Sequence, residues 1–305
     1  MKLASLQAFV AVLECGSIHA GARKLGVSQP ALSKTLRALE DELGVQLVTR
    51  TSRGTVATAY GRSFLTRAQL VVREVALAKE EVEQLKGNLR GSLAISVTPA
   101  TAIRVLPESV EGFRKDCPEI KLYINEALQA EATELVRSNA AEFALAPLDP
   151  ALPSQEFRVE SLLTSTMGIV MRRSHPLAKS SSPTELLSSE WLQIAPSGSL
   201  SSSLRRLFEA NDIENMPEPI VSCQSLSNAL ILMRSSNLMT ILPLSLLDLP
   251  LLADDFVVVK PEGMHQITNE IGLIYRADSP MTPAAQIMSN HIRRVAGAAA
   301  IAARP

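Results

Sequence analysis

The stretch from Ser17 to Leu36 constrains this chain most, because it reads as two short helices joined by a tight turn. In the second helix Leu32, Leu36, Leu39 and Leu43 recur at spacings of four, three and four, which predicts one buried apolar stripe. Ser28 is a good N-cap. Pro30 falls in the first turn, where a missing N–H costs nothing. The opposite face carries Gln29, Ser33, Lys34 and Arg37, short polar groups suited to base edges and long cations suited to phosphates. Ala31 offers an apolar contact for a thymine methyl group. The first helix is capped by Ser17 and is expected to turn Ile18, Ala22 and Leu25 inward. Small Ala20 and Gly21 allow close helix approach, and Gly26 makes the turn. This is a helix-turn-helix, a motif that places its second helix in the major groove of DNA. The residues expected to meet DNA here are Ser28, Gln29, Pro30, Ser33, Lys34 and Arg37.

Downstream, the β-branched runs on either side of Arg53-Gly54 within residues 47–58 signal a hairpin, read as a wing with Arg50 and Arg53 near its tip. Guanidinium groups there suit phosphates or a narrow minor groove; the alternative is an ordinary solvated hairpin.

With those residues in hand, the run from Leu3 to Gly61 closely resembles bacterial LysR-type transcriptional regulators. The resemblance is carried by Ser28-Gln29-Pro30-Ala31-Leu32-Ser33, Leu39-Glu40-Asp41-Glu42-Leu43-Gly44 and Arg50-Thr51-Ser52-Arg53-Gly54. Val48 stands where the family usually has an aromatic residue and Ala57 where it often has Leu, departures that touch wing packing rather than the DNA face. The resemblance implies an α/β architecture. A winged helix-turn-helix spans 1–58, a linker dimerisation helix and hinge span 59–90, and an effector-binding domain spans 91–305. That domain resembles periplasmic binding proteins, with subdomain I at 91–162 and 267–305 and subdomain II at 163–266. It further implies double-stranded promoter DNA, a small organic acid effector and RNA polymerase as partners, and four chains arranged as a dimer of dimers.

Charge placement agrees. Residues 1–62 hold eight basic groups against four acidic ones, whereas the remainder holds 22 against 27. A basic head on an acidic body favours nucleic acid at one end only. Cys15, Cys117 and Cys223 are odd in number and form no CxxC pair, so neither a disulfide framework nor a zinc site is indicated. Each reads as a small buried residue, with a redox sensor as the alternative. No signal-peptide h-region and no bilayer-length apolar run is present, which predicts a cytoplasmic protein with no membrane partner.

From Thr58 to about Leu89 the sequence predicts one long helix. Phe64, Ala68, Val71, Val75, Ala78, Val82, Leu85 and Leu89 alternate spacings of four and three, a heptad seam that asks for a second helix alongside and hence a homodimer. The alternative is a helix packed on its own domain. Beyond Asn88-Leu89-Arg90-Gly91 strands and helices alternate, which predicts parallel sheet with crossover helices. Strands are expected at 92–97, 121–126, 143–148, 168–171, 239–242, 256–259 and 270–275. Helices are expected at 102–117, 132–139, 201–210 and 225–235, and from Pro283 onward.

A ligand in such a fold sits outside the carboxyl ends of the strands, here in the cleft between the two subdomains. Thr98, Pro99, Ala100 and Thr101 open a helix there, placing two hydroxyls and several N–H groups at a positive helix terminus. Pro147, Ser197, Ser199 and Ser225 are further candidates. In the resembling regulators a hydroxyl at the position of Thr98 contacts the effector's acidic group; the alternative is that Thr98 and Thr101 are only caps. The wall reads as apolar and hydroxyl-rich rather than cationic, which suits a small organic acid, aromatic ones included.

An enzyme reading lacks support. His19, His175, His265 and His291 show no metal-ligand spacing, no P-loop appears, and Pro196-Ser197-Gly198-Ser199 is not a nucleophile elbow. Neither a catalytic residue, a metal nor a cofactor is expected. His175 reads as a turn-shaping residue, and His19 either as a phosphate contact or as an ordinary exposed histidine. A transporter's solute-binding protein needs an export signal and has no use for the basic head. A repressor controlled by protein partners, without a small effector, remains the alternative.

Overall fold

The computed structural model describes residues 1–51, 54–196, 198, 201–214 and 216–302; the side chains of Arg50, Ala100, Ser202 and residues 299–302 lie outside that description. The chain divides into two compact units, Met1–Asn88 and Leu89–Pro305.

In the first unit, helix α1 (Leu3–Glu14) precedes the two motif helices, α2 (Ile18–Leu25) and α3 (Gln29–Leu43). Local capping sets their starts: the Ser17 hydroxyl accepts from the Ala20 N–H at 3.1 Å and the Ser28 hydroxyl from the Ala31 N–H at 3.4 Å. Leu6, Phe9, Val12, Ile18, Leu36 and Leu39 form the core. Two expected core residues fall outside it. Leu25 and Leu43 are 36% and 39% exposed, because each is the last residue of its helix and the chain turns away at a left-handed glycine, Gly26 or Gly44.

Strands β1 (Val48–Thr51) and β2 (Gly54–Ala57) pair antiparallel, giving the expected hairpin with Arg50 opposite Thr55. Helix α4 (Ala59–Leu85) then starts on Thr58, whose hydroxyl accepts from the Gly61 N–H at 3.0 Å. Gly61 is required here: a Cβ would lie 1.9 Å from the Leu47 carbonyl oxygen.

The helix divides its apolar residues between two uses. Phe64 stacks at 5.6 Å on Phe9, and Ala68 is 2% exposed in the same core. Farther along, Val71, Ala78, Val82 and Leu85 are exposed and Val75 is half-buried. Leu89 is a correction to the seam: the helix ends at Leu85, and Leu89 instead packs against the core of the second unit.

The second unit is built on β3 (Gly91–Val97), α5 (Pro99–Asp116), β4 (Ile120–Glu126), α6 (Gln129–Arg137), β5 (Phe143–Pro147) and β6 (Phe157–Arg172). Next come α7 (Pro183–Leu187), β7 (Leu192–Ile194), α8 (Ser202–Glu209), β8 (Val221–Cys223), α9 (Leu226–Ser235) and β9 (Thr240–Pro243). A 3-10 turn (Leu244–Leu246), α10 (Pro250–Ala253), β10 (Phe256–Val259), β11 (Ile267–Arg276) and α11 (Pro283–Ala302) complete it. The main sheet has the order β10-β6-β11-β5-β3-β4, with β9 also on β6.

Among the described residues, the named strands that pair in parallel are β3 with β4, β3 with β5 and β7 with β8. The expected parallel sheet is therefore mixed, because β6 and β11 run antiparallel to each other and to their other neighbours. These two strands cross both subdomains. Phe157 to Met167 of β6 pair with β11, and Met167 to Arg172 with β9 and β10. On one side Phe113, Phe143, Leu145, Leu273, Met288 and Ile292 are fully buried between β3, β5, β11 and the helices α5 and α11. On the other, Trp191 and Phe208 meet edge to face at 5.5 Å, and the Trp191 indole donates to the Leu186 carbonyl at 3.0 Å. Full burial of such aromatic side chains fixes two separate cores, leaving a cleft between them.

Candidate functional site

Two surfaces carry the chemistry. The first is the open face of α3. Ser28, Gln29, Pro30, Lys34 and Arg37 are exposed and Ser33 is half-buried, while Leu32, Leu36 and Leu39 hold the opposite face in the core. Among the described residues neither Lys34 nor Arg37 enters an ion pair, so both charges stay available to an anion. His19 is exposed near the start of α2.

The wing is tied to this frame by backbone bonds that the sequence reading missed. The Glu40 carboxylate, on the last turns of α3, accepts from the N–H groups of Leu47 at 2.7 Å and Val48 at 3.1 Å. The Thr55 N–H donates to the Gly16 carbonyl at 2.7 Å. Arg53 and Ser52 lie outside the described residues, as does the side chain of Arg50.

The second surface is the cleft in the second unit, a cavity of about 830 Å³. Thr98, Pro99, Thr101 and Pro147 line it. Thr98 and Thr101 are buried, and their hydroxyls lie 2.8 Å apart in one hydrogen bond. Of the N–H groups expected to be open, those of Thr101 and Ala102 both donate to the Thr98 carbonyl, and Pro99 has none to offer. The pair therefore presents hydroxyls rather than a backbone cradle.

Ser225 is a second correction. It is not on the lining; its hydroxyl caps α9, accepting from the Asn228 N–H at 3.4 Å, and bonds the Ser227 hydroxyl at 2.7 Å, whereas its neighbours Gln224 and Leu226 line the cavity. Ser197 and Ser199 lie outside the described residues, and of Ala100 only the backbone is described.

Several lining residues escaped the sequence reading, among them Arg104, Ser165, Thr240 and Asn269. Arg104 and Arg137 correct the expectation of a wall without cations. Arg137 is spent on Glu134 and Glu156 and lies 5.1 Å over the Phe157 ring. Asn269, 6% exposed, accepts from the Arg206 guanidinium, which also donates to the Thr268 carbonyl at 2.7 Å. Helical periodicity on α5, which puts Arg104 one turn beyond Thr101, was the signal that could have found it.

Elsewhere, His175 shapes a turn as expected. Its Nδ1 accepts from the Leu177 N–H at 3.0 Å, which leaves Nε2 to donate to the Asn237 carbonyl at 2.9 Å. Of the cysteines, Cys117 is buried, while Cys15 and Cys223 are partly so; burial pushes the thiols of Cys117 and Cys223 up. Among the described residues no group of three metal-binding side chains occurs, and no helix is long and apolar enough to cross a membrane.

Comparison with known families places both surfaces. Residues 3–62 match the bacterial regulatory helix-turn-helix protein model of the lysR family, and residues 86–297 match the LysR substrate binding domain. The chain belongs to the LysR family. This LysR-family chain is 30% identical to the HTH-type transcriptional regulator GbpR of Azospirillum brasilense over 72% of its own length and 64% of that protein, just under two thirds. It is 28% identical to the DNA-binding transcriptional dual regulator OxyR of Escherichia coli K12, over 96% of this chain and 95% of that one. Full-length CbnR complexed with its target DNA shares the fold at a TM-score of 0.69 and 22% identity, covering 97% of this chain and all of that one.

Proposed function

We propose that the chain is a cytoplasmic, sequence-specific DNA-binding transcriptional regulator rather than an enzyme, and that a small organic anion bound in the cleft modulates it. The observation that carries the reading is the coexistence of an unpaired polar and cationic face on α3 with a large cavity in the second unit where two buried hydroxyls meet. Phosphate contacts from Lys34, Arg37, Arg50 and Arg53 would supply affinity, and Gln29, Ser33, the cap residue Ser28 and Pro30 in the first turn would meet the bases. GbpR, a transcriptional regulator, and OxyR, a DNA-binding transcriptional dual regulator, support the same assignment.

Exposed Val71, Ala78, Val82 and Leu85 on α4 support pairing of two chains along that helix, and two such pairs would form the tetramer. Effector binding would bias the cleft between two closures and so change how paired helix-turn-helix heads hold promoter DNA and RNA polymerase. The deciding experiment is a thermal-shift screen of the full chain against aliphatic and aromatic carboxylates, run beside a DNA-binding assay, since a ligand that binds only the folded state raises its melting temperature. A saturable shift supports the effector reading. A blank screen with DNA binding intact favours control by a protein partner.

A further inference from the structure

We propose that the cleft takes an aliphatic carboxylate, with its carboxylate held by Arg104 and its chain laid along the cavity; this rests on the effector reading above. Three observations carry it.

The first is charge. Among the described residues two arginines line the cavity, and Arg137 is already spent on Glu134 and Glu156. Glu131 and Asp149 line the cavity too and repel a second carboxylate. Among the described residues Arg104 has a single ion-pair partner, Asp248, at 3.8 Å, and that aspartate is 77% exposed. Such a pair between exposed groups is weak and readily exchanged. A ligand carboxylate meeting the planar guanidinium with two N–H···O bonds outcompetes it.

The second is position. Arg104 stands three residues after Thr101 on α5, so the guanidinium and the hydroxyl pair of Thr98 and Thr101 flank one face of the helix. One hydroxyl of the pair donates to the other, which leaves one O–H free to donate to the same carboxylate group.

The third is the rest of the wall. Leu128, Leu152, Leu163, Met167, Leu204 and Ile241 are among its apolar members, and no described lining residue is aromatic. A ring would find no stacking partner, whereas a flexible chain gains from every methylene that leaves water. A cavity of about 830 Å³ is in the range that holds a drug-sized ligand and leaves a single-ring acid loosely fitted.

The test is calorimetric titration of the full chain, below micellar concentrations, with octanoate, decanoate, neutral decanol and benzoate, on the unaltered protein and on Arg104→Gln and Asp248→Asn. Decanoate should bind more tightly than octanoate by roughly tenfold, as two further methylenes are buried. Arg104→Gln should weaken decanoate about tenfold or more, the scale of a lost charged hydrogen bond, and leave decanol unchanged. Asp248→Asn should hold or tighten decanoate, which separates a lost ligand contact from a misfolded variant. Equal decanoate affinity for the Arg104→Gln and unaltered proteins overturns the anchor and leaves the effector reading standing. Benzoate binding without decanoate binding overturns the aliphatic class alone. Silence from all four probes, beside a blank in the wider carboxylate screen, removes both the proposal and the effector reading.

Discussion

The carboxylate of Glu160 and the guanidinium of Arg293 face each other in two parallel hydrogen bonds of 2.8 Å, joining β6 to α11. The Arg293 hydrogen bonds hold the Glu160 carboxyl below the usual glutamate range, against the opposing effect of burial. A carboxyl lowered in the folded state contributes stability above its unfolded value, near about 4.3, and loses it as pH falls through the lower folded value. Glu160→Gln should therefore lower the melting temperature at neutral pH, and the difference should close as the medium is acidified below about pH 4. With the two side chains 34% and 37% exposed, the effect is about 1 kcal/mol or less after solvent screening. Thermal melts of both proteins from neutral pH to pH 3 check it; a difference that persists at pH 3 assigns the loss to packing.

On α3, Lys34→Ala and Arg37→Ala should each weaken binding to any duplex by a similar factor and reduce the slope of log affinity against log salt by about 1. Ser33→Ala should instead change the preference among duplexes. Fluorescence anisotropy at several salt concentrations, with the duplex upstream of the chain's own gene and a scrambled one, separates the two behaviours. A salt slope unchanged in both cation variants would remove α3 from the phosphate contacts.

Local chemistry made much of the first unit legible. Ser17, Ser28 and Thr58 bond the N–H three residues on, and a cap needs only its own turn of chain. The same periodicity misplaced Leu25 and Leu43, because a stripe says nothing of where a helix stops covering its neighbour. In the second unit the first ten residues of β6, Phe157 to Thr166, went unread: most are half-buried or exposed, and neither a β-branched run nor a clean alternation marks them. Arg104 was missed for a different reason: the cavity that gives it meaning is closed by Ile241, Leu242 and Ser245, far along the chain. Ser225 was overread, since a serine at a helix start satisfies a cap before it serves a ligand.

Within the cleft, Thr98→Val keeps shape and removes a hydroxyl whose only side-chain partner among the described residues is Thr101. The Thr101 hydroxyl is then left buried without its bond, at a cost of about 1–3 kcal/mol. The double variant with Thr101→Val removes both partners and should recover most of that stability. Thermal melts of the two singles and the double form the cycle. If the pair also contacts the effector, the ligand-induced shift should be reduced in all three, including the restabilised double. A full shift in the double variant would confine the threonine pair to a structural role.

The seam on α4 yields the sharpest contrast, because its residues have separate employments. Ala68 is 2% exposed against the helix-turn-helix core, so Ala68→Leu overpacks that core and should cost about 1–3 kcal/mol whatever the state of assembly. Val82 and Leu85 are 51% and 71% exposed in the single chain. A charge at either costs the isolated fold little, but it would be buried if two α4 helices pair along that face. Val82→Glu and Leu85→Glu should therefore leave the circular dichroism of the dilute chain unchanged while raising the dissociation constant of the dimer by tenfold or more, about the cost of one poorly placed charge. Sedimentation across a concentration series measures it. If both glutamate variants assemble like the unaltered chain, the exposed half of α4 is not the pairing surface, and the heptad spacing reports only the helix's fit to its own domain at Phe64 and Ala68.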